Sequence, residues 1–300
     1  MAIPEFLKEK LESQYGEEIK DKILDGFNVK RKVTFRVNTL KAEPNEVEEI
    51  LKKENIEFEK VVWSKDAFII TNVREEDIQK LDIYEQGKIY LQSLSSMLPP
   101  IVLKPEEGKD ILDMAAAPGG KTTQMAALSN NKAHITACEM NNIRIEKLKY
   151  NVEKQGASCV YIMPKDSRQI DDFFSFDQIL LDSPCSGSGT LDAENINVEK
   201  FFTTKLIEKS TKSQYALLKK ALRILKPGHE MVYSTCSILK EENEEIVRKV
   251  LKETKAEIVP IDFEGIEELP VLPVSLEGTL CVMPTEKYEG FYIAKIRRLK

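Results

Sequence analysis

Residues 109–128, KDILDMAAAPGGKTTQMAAL, decide the fold class of this chain. A short apolar strand runs into a turn of small residues, and helix-forming residues follow the turn. A strand, a tight turn and a helix in this order are typical of an open parallel sheet, where ligands bind at the carboxyl ends of the strands. Small side chains let a ligand approach the backbone and the first turn of the helix. The sequence therefore predicts a ligand at this turn.

The same alternation of strand and helix continues through residues 89–300. Further strands are predicted at 133–138, 159–163, 177–182 and 229–234, and the stretches 278–283 and 290–296 predict an antiparallel edge hairpin because no helix separates them. These elements predict an α/β catalytic domain with a Rossmann-like, mostly parallel sheet of seven strands.

Residues 1–88 predict a separate, small α+β domain. One amphipathic helix is expected over residues 4–27, and strands are expected at 33–37, 58–62 and 68–71.

Composition excludes several classes of protein. The chain has 300 residues, 42% of them hydrophobic, and a net charge of -6. It contains no apolar run of the roughly 18 residues that span a bilayer, and its first residues lack the basic and apolar pattern of a signal peptide. Five cysteines without a C-x-x-C pair and two histidines fit neither a disulfide framework nor a zinc site. We expect a cytoplasmic protein that binds no metal and no membrane.

Two stretches carry the positive charge of an otherwise acidic chain. Residues 28–41 contain five basic side chains and no acid, which favours a strand that faces phosphate groups. Residues 200–226 contain eight basic side chains and one acid, Glu208. For this second stretch, a solvated helix face and a nucleic-acid surface remain equal alternatives.

Two ligands compete for the turn at 114–121. Gly120-Lys121-Thr122 matches the end of a phosphate-binding loop, which would indicate an NTPase. However, Ala115 stands where that pattern needs its first glycine, and Pro118 removes an N–H group from the loop.

The acids favour an adenosyl ligand instead. Asp113, Glu139, Asp166 and Asp182 each end or follow one of four successive predicted strands. Four carboxylates along one crevice repel a triphosphate but suit a cationic sulfonium group and ribose hydroxyls.

Two cysteines stand out by position. Residues 181–189, LDSPCSGSG, and residues 233–237, YSTCS, both leave a predicted strand, and so place Cys185 and Cys236 at the crevice. The other three cysteines, Cys138, Cys159 and Cys281, fall within strand runs and are expected to be inert apolar side chains.

The motifs AAAPGGKT, DSPCSGSG and STCS, in this order, resemble those of the RNA cytosine-5 (m5C) methyltransferase family that uses S-adenosylmethionine. The segments RVNTLK (36–41) and EGFYIAKI (289–296) extend the resemblance over most of the chain, which looks most like the compact archaeal-type tRNA enzymes. The resemblance implies a class I methyltransferase fold and an RNA partner, with tRNA expected ahead of rRNA. We expect a monomer, since one crevice with its own substrate domain needs no second subunit.

The resemblance also implies roles for individual residues. Cys236 would be the nucleophile that adds to C6 of cytosine, Cys185 would assist product release, and Asp182 would face N3 of the ring. Either Lys121 or nearby backbone N–H groups would help Cys236 to ionise. DNA cytosine-5 methyltransferases use the cysteine of the P-C motif instead, so the choice of Cys236 depends on family likeness alone.

The resemblance also implies which residues bind the cofactor, and the basic stretch at 28–41 supplies the predicted RNA contacts. The residues expected to bind the cofactor are Ala115, Ala116, Ala117, Pro118, Gly119, Gly120, Lys121, Glu139, Arg144, Asp166 and Asp182. The residues expected to contact RNA phosphates are Lys30, Arg31, Lys32 and Arg36. Besides the methyltransferase and the NTPase, a non-catalytic RNA-binding module remains a third interpretation.

Overall fold

The computed structural model describes residues 3–192 and 198–300 of the chain. The residues form two compact units. The terminal unit comprises the residues up to Arg31 together with Leu181–Ile261 and Leu269–Lys300. The central unit comprises Lys32–Leu180 and Asp262–Glu268. This division differs from the predicted boundary after residue 88, because the first two helices belong to the same unit as the two motif cysteines.

The helices are α1 (Glu5–Tyr15), α2 (Glu17–Asn28), α3 (Pro44–Lys53), α4 (Glu75–Gln79), α5 (Asp82–Glu85), α6 (Leu94–Leu103), α7 (Gly120–Leu128), α8 (Asn142–Gln155), α9 (Val198–Phe201), α10 (Thr204–Ile224) and α11 (Glu244–Glu253). The strands are β1 (Val33–Val37), β2 (Phe58–Val61), β3 (Ser64–Ile70), β4 (Ile89–Leu91), β5 (Asp110–Asp113), β6 (His134–Glu139), β7 (Val160–Pro164), β8 (Phe176–Asp182), β9 (Leu225–Thr235), β10 (Ala256–Val259), β11 (Leu280–Val282) and β12 (Phe291–Arg298).

A small antiparallel sheet with the order β2-β3-β1-β4 forms the first half of the central unit. Its apolar face packs against α3, where Val47 and Leu51 are fully buried. Phe35 and Phe68 stack inside this core with their ring centroids 5.3 Å apart. This arrangement agrees with the α+β organisation expected for this part of the chain.

Parallel strands form the second half of the central unit, in the order β8-β5-β6-β7. Asp113 pairs in register with Ala137, and Glu139 pairs with Pro164. The carboxyl ends of β5, β6 and β7 therefore lie side by side, as the strand and helix alternation predicts.

The strands of the terminal unit have the order β10-β12-β9, and β12 is antiparallel to both neighbours. The last residues of β8 also belong to this unit, where the Ser183 N–H donates to the Ser234 carbonyl at 2.8 Å. Helices α1 and α2 join the unit through the Tyr15 hydroxyl, which donates to the Ile238 carbonyl at 2.6 Å.

Two local features differ from the sequence-based expectation. The helix predicted over residues 4–27 is broken at Gly16, whose φ of 81° is a conformation that favours glycine. The predicted hairpin is formed by β11 and β12, but β12 is not an edge strand. One of its sides pairs with β9, and the other pairs with β11 and then with β10, which was not predicted.

The helices were also compared with the requirements of a membrane crossing. Within residues 3–192 and 198–300, no helix combines the length and apolar content that such a crossing requires.

Candidate active site

The predicted site residues fall into two groups, one in each unit. Asp182, Cys185 and Cys236 belong to the terminal unit. The turn at 115–121, Glu139, Arg144 and Asp166 belong to the central unit. Each group has its own internal geometry.

The two motif cysteines are in direct contact. Cys185 lies three residues after the end of β8, and Cys236 directly follows β9. Their Sγ atoms form a hydrogen bond of 3.0 Å, and both side chains are half-buried. Two thiols at adjacent strand ends can therefore act on the same small group.

The hydrogen bond between the two thiols changes the pKa of Cys185. The pKa of Cys185 is raised well above its usual range, chiefly by the hydrogen bond to Cys236 and then by burial. Cys185 therefore stays protonated and can donate its S–H to the Cys236 sulfur.

Asp182 is held at the end of β8 beside the thiols. The Ser234 hydroxyl donates to Asp182 Oδ1 at 2.8 Å, and the carboxylate is only half-buried. An oriented, accessible carboxyl group three residues from Cys185 can hydrogen-bond to a polar ring edge.

The glycines of the S-G-S-G motif permit a close approach of two backbone segments. The Gly290 N–H donates to the Gly189 carbonyl at 2.8 Å. A Cβ atom built on Gly189 would lie 2.1 Å from the Gly290 carbonyl oxygen, so no other residue fits there without a backbone shift. In the same loop, the Gly189 N–H donates to the Cys236 carbonyl at 3.0 Å and so joins the loop to the second thiol motif.

Glu242 connects the two cysteine loops and was not predicted. Its carboxylate is fully buried. One oxygen accepts from the Ser186 N–H at 2.7 Å and from Gln214 Nε2 at 3.2 Å. The other oxygen accepts from the hydroxyls of Ser186 and Ser237, at 2.5 and 2.6 Å. One carboxylate thus holds the residue after Cys185 and the residue after Cys236.

We expect the substitution Glu242→Ala to lower the free energy of unfolding by roughly 3 kcal/mol, because four donors, two of them buried and two on the half-buried Ser186, lose their acceptor. Glu242→Gln keeps the shape and one acceptor oxygen, so its loss should be smaller. Urea denaturation followed by circular dichroism measures both values. The matched control is Glu241→Ala, since Glu241 is half-exposed and pairs with Lys10 at 2.9 Å. Equal losses for Glu241→Ala and Glu242→Ala would contradict the role assigned to the buried carboxylate.

In the central unit, the turn after β5 is fixed by the strands around it. Asp113 is buried and accepts from the Thr122 hydroxyl at 2.7 Å and from the Ala115 N–H at 3.3 Å. The Ala116 N–H donates to the Cys138 carbonyl at 2.9 Å, which ties the turn to β6. The turn of small residues therefore runs directly past the strand end that carries Glu139.

Glu139 and Arg144 form a hydrogen-bonded cluster with this turn. Glu139 is buried, and its Oε1 accepts from the N–H groups of Met140 and Asn141, both at 2.9 Å. Arg144 Nη1 lies 3.2 Å from the other oxygen, while Nη2 donates to the Ala117 carbonyl at 2.6 Å. Arg144 thus supports both the turn and the carboxylate, which agrees with the supporting position predicted for it.

Asp166 begins a short 3-10 turn after β7 and is engaged by its neighbour. Arg168 donates to both carboxylate oxygens, at 3.0 and 2.6 Å. These hydrogen bonds lower the pKa of Asp166, so the group is ionised at neutral pH. Arg168 was not among the predicted site residues, and the adenine contact assigned to Asp166 stays a prediction.

Lys121 donates to the Ser96 hydroxyl at 2.7 Å within the central unit. Cys236 belongs to the terminal unit, so the suggestion that Lys121 helps Cys236 to ionise stays a prediction.

The structure corrects the prediction for Arg36. Its side chain is 3% exposed, and it donates to Gln92 Oε1 at 2.9 Å, to the Gly120 carbonyl at 3.1 Å and to the Thr123 hydroxyl at 2.8 Å. Burial lowers its pKa to about 10, which still leaves it charged at neutral pH. Arg36 therefore supports the first turn of α7 and is not available to an RNA phosphate.

The other three residues predicted to contact RNA are at least partly accessible. Lys30 is exposed, while Arg31 and Lys32 are half-buried. Arg31 Nη2 donates to the Leu191 carbonyl at 3.3 Å.

The sequence matches known families over both parts of the chain. Residues 100–297 match the family described as "16S rRNA methyltransferase RsmB/F", and residues 3–75 match the ferredoxin-like domain of RsmF/B-like methyltransferases. Among curated relatives, "Ribosomal RNA small subunit methyltransferase F" of Shewanella sp. (strain ANA-3) is 35% identical over 277 residues, which are 89% of this chain and 56% of that protein. The protein of the same name from Shewanella loihica is 36% identical, with the same coverage of 89% and 56%. The chain thus spans little more than half the length of these relatives.

Two solved structures cover nearly all of the chain. A methyltransferase homologue from Pyrococcus horikoshii has 31% identity and a TM-score of 0.83, with 99% of this chain and 100% of that chain covered. NSun6 from the same organism, solved with SFG, has 24% identity and a TM-score of 0.86, with coverage of 99% and 98%, and supports the fold alone.

The chain belongs to the RsmB/F family of methyltransferases. The predicted family and the Rossmann-like methyltransferase fold are therefore confirmed, as is S-adenosylmethionine as the cofactor of the family. The NTPase interpretation of the turn is set aside, because residues 100–297 include it within the methyltransferase match.

Proposed function

We propose that this member of the RsmB/F family methylates C5 of cytosine in RNA through a transient bond between Cys236 and C6 of the base. The observation that carries the proposal is the contact of Cys185 Sγ with Cys236 Sγ at 3.0 Å. A single nucleophile needs only one thiol, whereas formation and later cleavage of a thioether benefit from a second group that moves a proton.

The first step uses the chain's own residues. The Cys236 thiolate forms an S–C6 bond, and the C5–C6 π electrons shift so that C5 becomes electron-rich. Asp182, held by Ser234, is assigned to the ring edge, where a hydrogen bond at N3 stabilises the negative charge that builds there. After C5 has gained its methyl group, the C5 proton passes to water at the accessible side of the ring, and the C5–H electron pair restores the C5–C6 double bond. The S–C6 bond breaks, and its electron pair returns to the Cys236 sulfur. Cys185, which stays protonated in the resting pair, assists this release.

The residues around the turn after β5 fit an adenosyl cofactor. The small residues at 115–120 leave room beside the backbone, and the buried Glu139 carboxylate at the next strand end suits ribose hydroxyls. S-adenosylmethionine, when bound, supplies an electrophilic methyl group. Arg144 keeps the turn and Glu139 in one arrangement, and Asp166, charged and held by Arg168, is assigned to the adenine side.

The target base has to leave its stack. C5 and C6 of cytosine are shielded in a helix, so the base must be flipped out or unpaired, at a cost of a few kcal/mol. Half-buried thiols within three residues of strand ends suit a base inserted from outside. Lys30, Arg31 and Lys32 are assigned to the flanking phosphates, and we propose that the enzyme acts as a cytoplasmic monomer.

The resemblance and the curated relatives favour different RNA substrates. The resemblance to compact archaeal-type enzymes favours tRNA, whereas the curated relatives are named for the small-subunit ribosomal RNA. We therefore propose small-subunit rRNA as the first substrate to test and tRNA as the second.

Product analysis tests the proposal. The purified chain is incubated with S-adenosylmethionine and either small-subunit rRNA or tRNA, both free of modification, and the RNA is then digested to nucleosides. Mass spectrometry should detect 5-methylcytidine in one of the two RNAs and in no sample without the methyl donor. A methylated nucleoside other than 5-methylcytidine, or transfer to neither RNA under conditions where both bind, would contradict the proposal.

A further inference from the structure

A basic cleft in the terminal unit includes three of the eight basic residues of the positive stretch at 200–226. The cleft is a cavity of about 790 Å³ where α10 ends and β9 begins. Six cationic side chains line it: Lys219, Lys220, Arg223, Lys255, Arg298 and Lys300.

The cleft is distant from the thiols. It includes Pro227 near the start of β9, whereas Cys236 directly follows the end of the same strand. At about 3.3 Å per residue, the strand separates the two places by roughly 30 Å. The cleft is therefore a different site from the one that reacts with the base.

Charge dominates the cleft. Its lining, taken over the described residues, contains no Asp or Glu. Lys219 is neutralised by Glu253 at 2.8 Å, and Arg298 also supports the end of α10 by donating to the Arg223 carbonyl at 2.8 Å. All the charged side chains that line the cleft are therefore cationic, in a chain whose net charge is -6. Such a local excess attracts a polyanion despite the overall charge.

The shape of the cleft differs from a solvated helix face. Its cations come from three segments that are far apart in sequence: the end of α10, the turn before β10, and the end of β12. Apolar side chains, among them Leu222 and Leu299, lie between them. A volume of this size is within the range of about 300–1,000 Å³ that is common for ligand sites. Converging cations around a concave surface indicate a binding site.

We propose that the basic cleft binds the phosphodiester backbone of the RNA substrate, away from the target cytosine. This inference rests on the proposed function in that it takes RNA as the substrate. Several cations along an open cleft suit consecutive phosphates, and each phosphate contact releases counterions and adds affinity without reading the base sequence.

Neutralisation of the cleft tests this proposal. The triple variant Lys220→Gln, Arg223→Gln, Lys255→Gln removes three charges. The matched control Lys22→Gln, Lys80→Gln, Lys149→Gln removes three charges from exposed positions within or directly after helices. Fluorescence anisotropy with a labelled small-subunit rRNA fragment, without methyl donor, gives Kd over a range of KCl concentrations.

We expect the cleft variant to raise Kd at least about tenfold over the control, and to reduce the salt slope by about 2–3, since each lost phosphate contact removes about 0.7–0.9. Its kcat at saturating RNA and its affinity for S-adenosylmethionine should match the wild type. Equal Kd values for the two variants, or binding of an acidic peptide to the cleft with unchanged RNA affinity, would overturn the proposal.

The two proposals can fail separately. Loss of RNA affinity in the cleft variant, with no 5-methylcytidine made by the wild type, would reject the proposed reaction and keep the cleft. Normal methylation by both variants at limiting RNA would reject the cleft and keep the reaction.

Discussion

Serine in place of Cys236 is expected to abolish methyl transfer to RNA, with a fall in single-turnover rate of at least about 10³-fold. A serine hydroxyl has almost the size of the thiol but does not ionise near neutral pH, so it cannot add to C6. Its contact with Cys185 can persist, and the fold should be unchanged. The measurement is transfer of a radiolabelled methyl group to RNA with enzyme in excess.

The matched control for this substitution is Cys159→Ser. Cys159 is also half-buried, lies in the central unit next to β7, and has a pKa that burial raises. It should keep nearly full activity. Full turnover by Cys236→Ser would reject the covalent mechanism, and equal losses in both variants would indicate a general effect of replacing a half-buried thiol.

The substitution Cys185→Ala is expected to leave the first chemical step and stop the last one. Without the proton that Cys185 holds near the Cys236 sulfur, cleavage of the S–C6 bond should slow by roughly 10²–10³-fold, the usual size of an acid or base contribution. The enzyme should transfer about one methyl group per molecule and then remain attached to the RNA. Denaturing gels would show a protein–RNA complex that survives detergent.

The double variant Cys185→Ala, Cys236→Ser separates this outcome from tight binding, because it has no nucleophile and should form no stable complex. A complex formed by Cys236→Ser alone, and none by Cys185→Ala, would exchange the roles of the two cysteines.

The sequence predicted the position of site residues well where that position depends on one short segment. The turn at 114–121 and the two cysteine loops each follow a strand end. The carboxyl ends of neighbouring parallel strands lie at the same edge of a sheet. The proximity of the two thiols could therefore be expected from the sequence alone. The choice between them could not, because it depends on which sulfur holds the shared proton.

Residues whose roles depend on distant partners were missed or misplaced. Glu242 stands in the acidic run EENEE, where nothing local distinguishes it from a solvent-exposed helix start, and its partners Ser186 and Gln214 lie far away in sequence. Arg36 was assigned to RNA because charge counting does not reveal burial, and its acceptors at Gly120 and Thr123 come from a helix 84 or more residues later.

The backbone contact between Gly189 and Gly290 sets an order of events during synthesis. The loop that contains Cys185 and Gly189 is translated about a hundred residues before Gly290, which contacts it. Strand β12, which pairs with β9, begins directly after Gly290. A nascent chain therefore carries both sulfurs long before it carries the strand that fixes their loops.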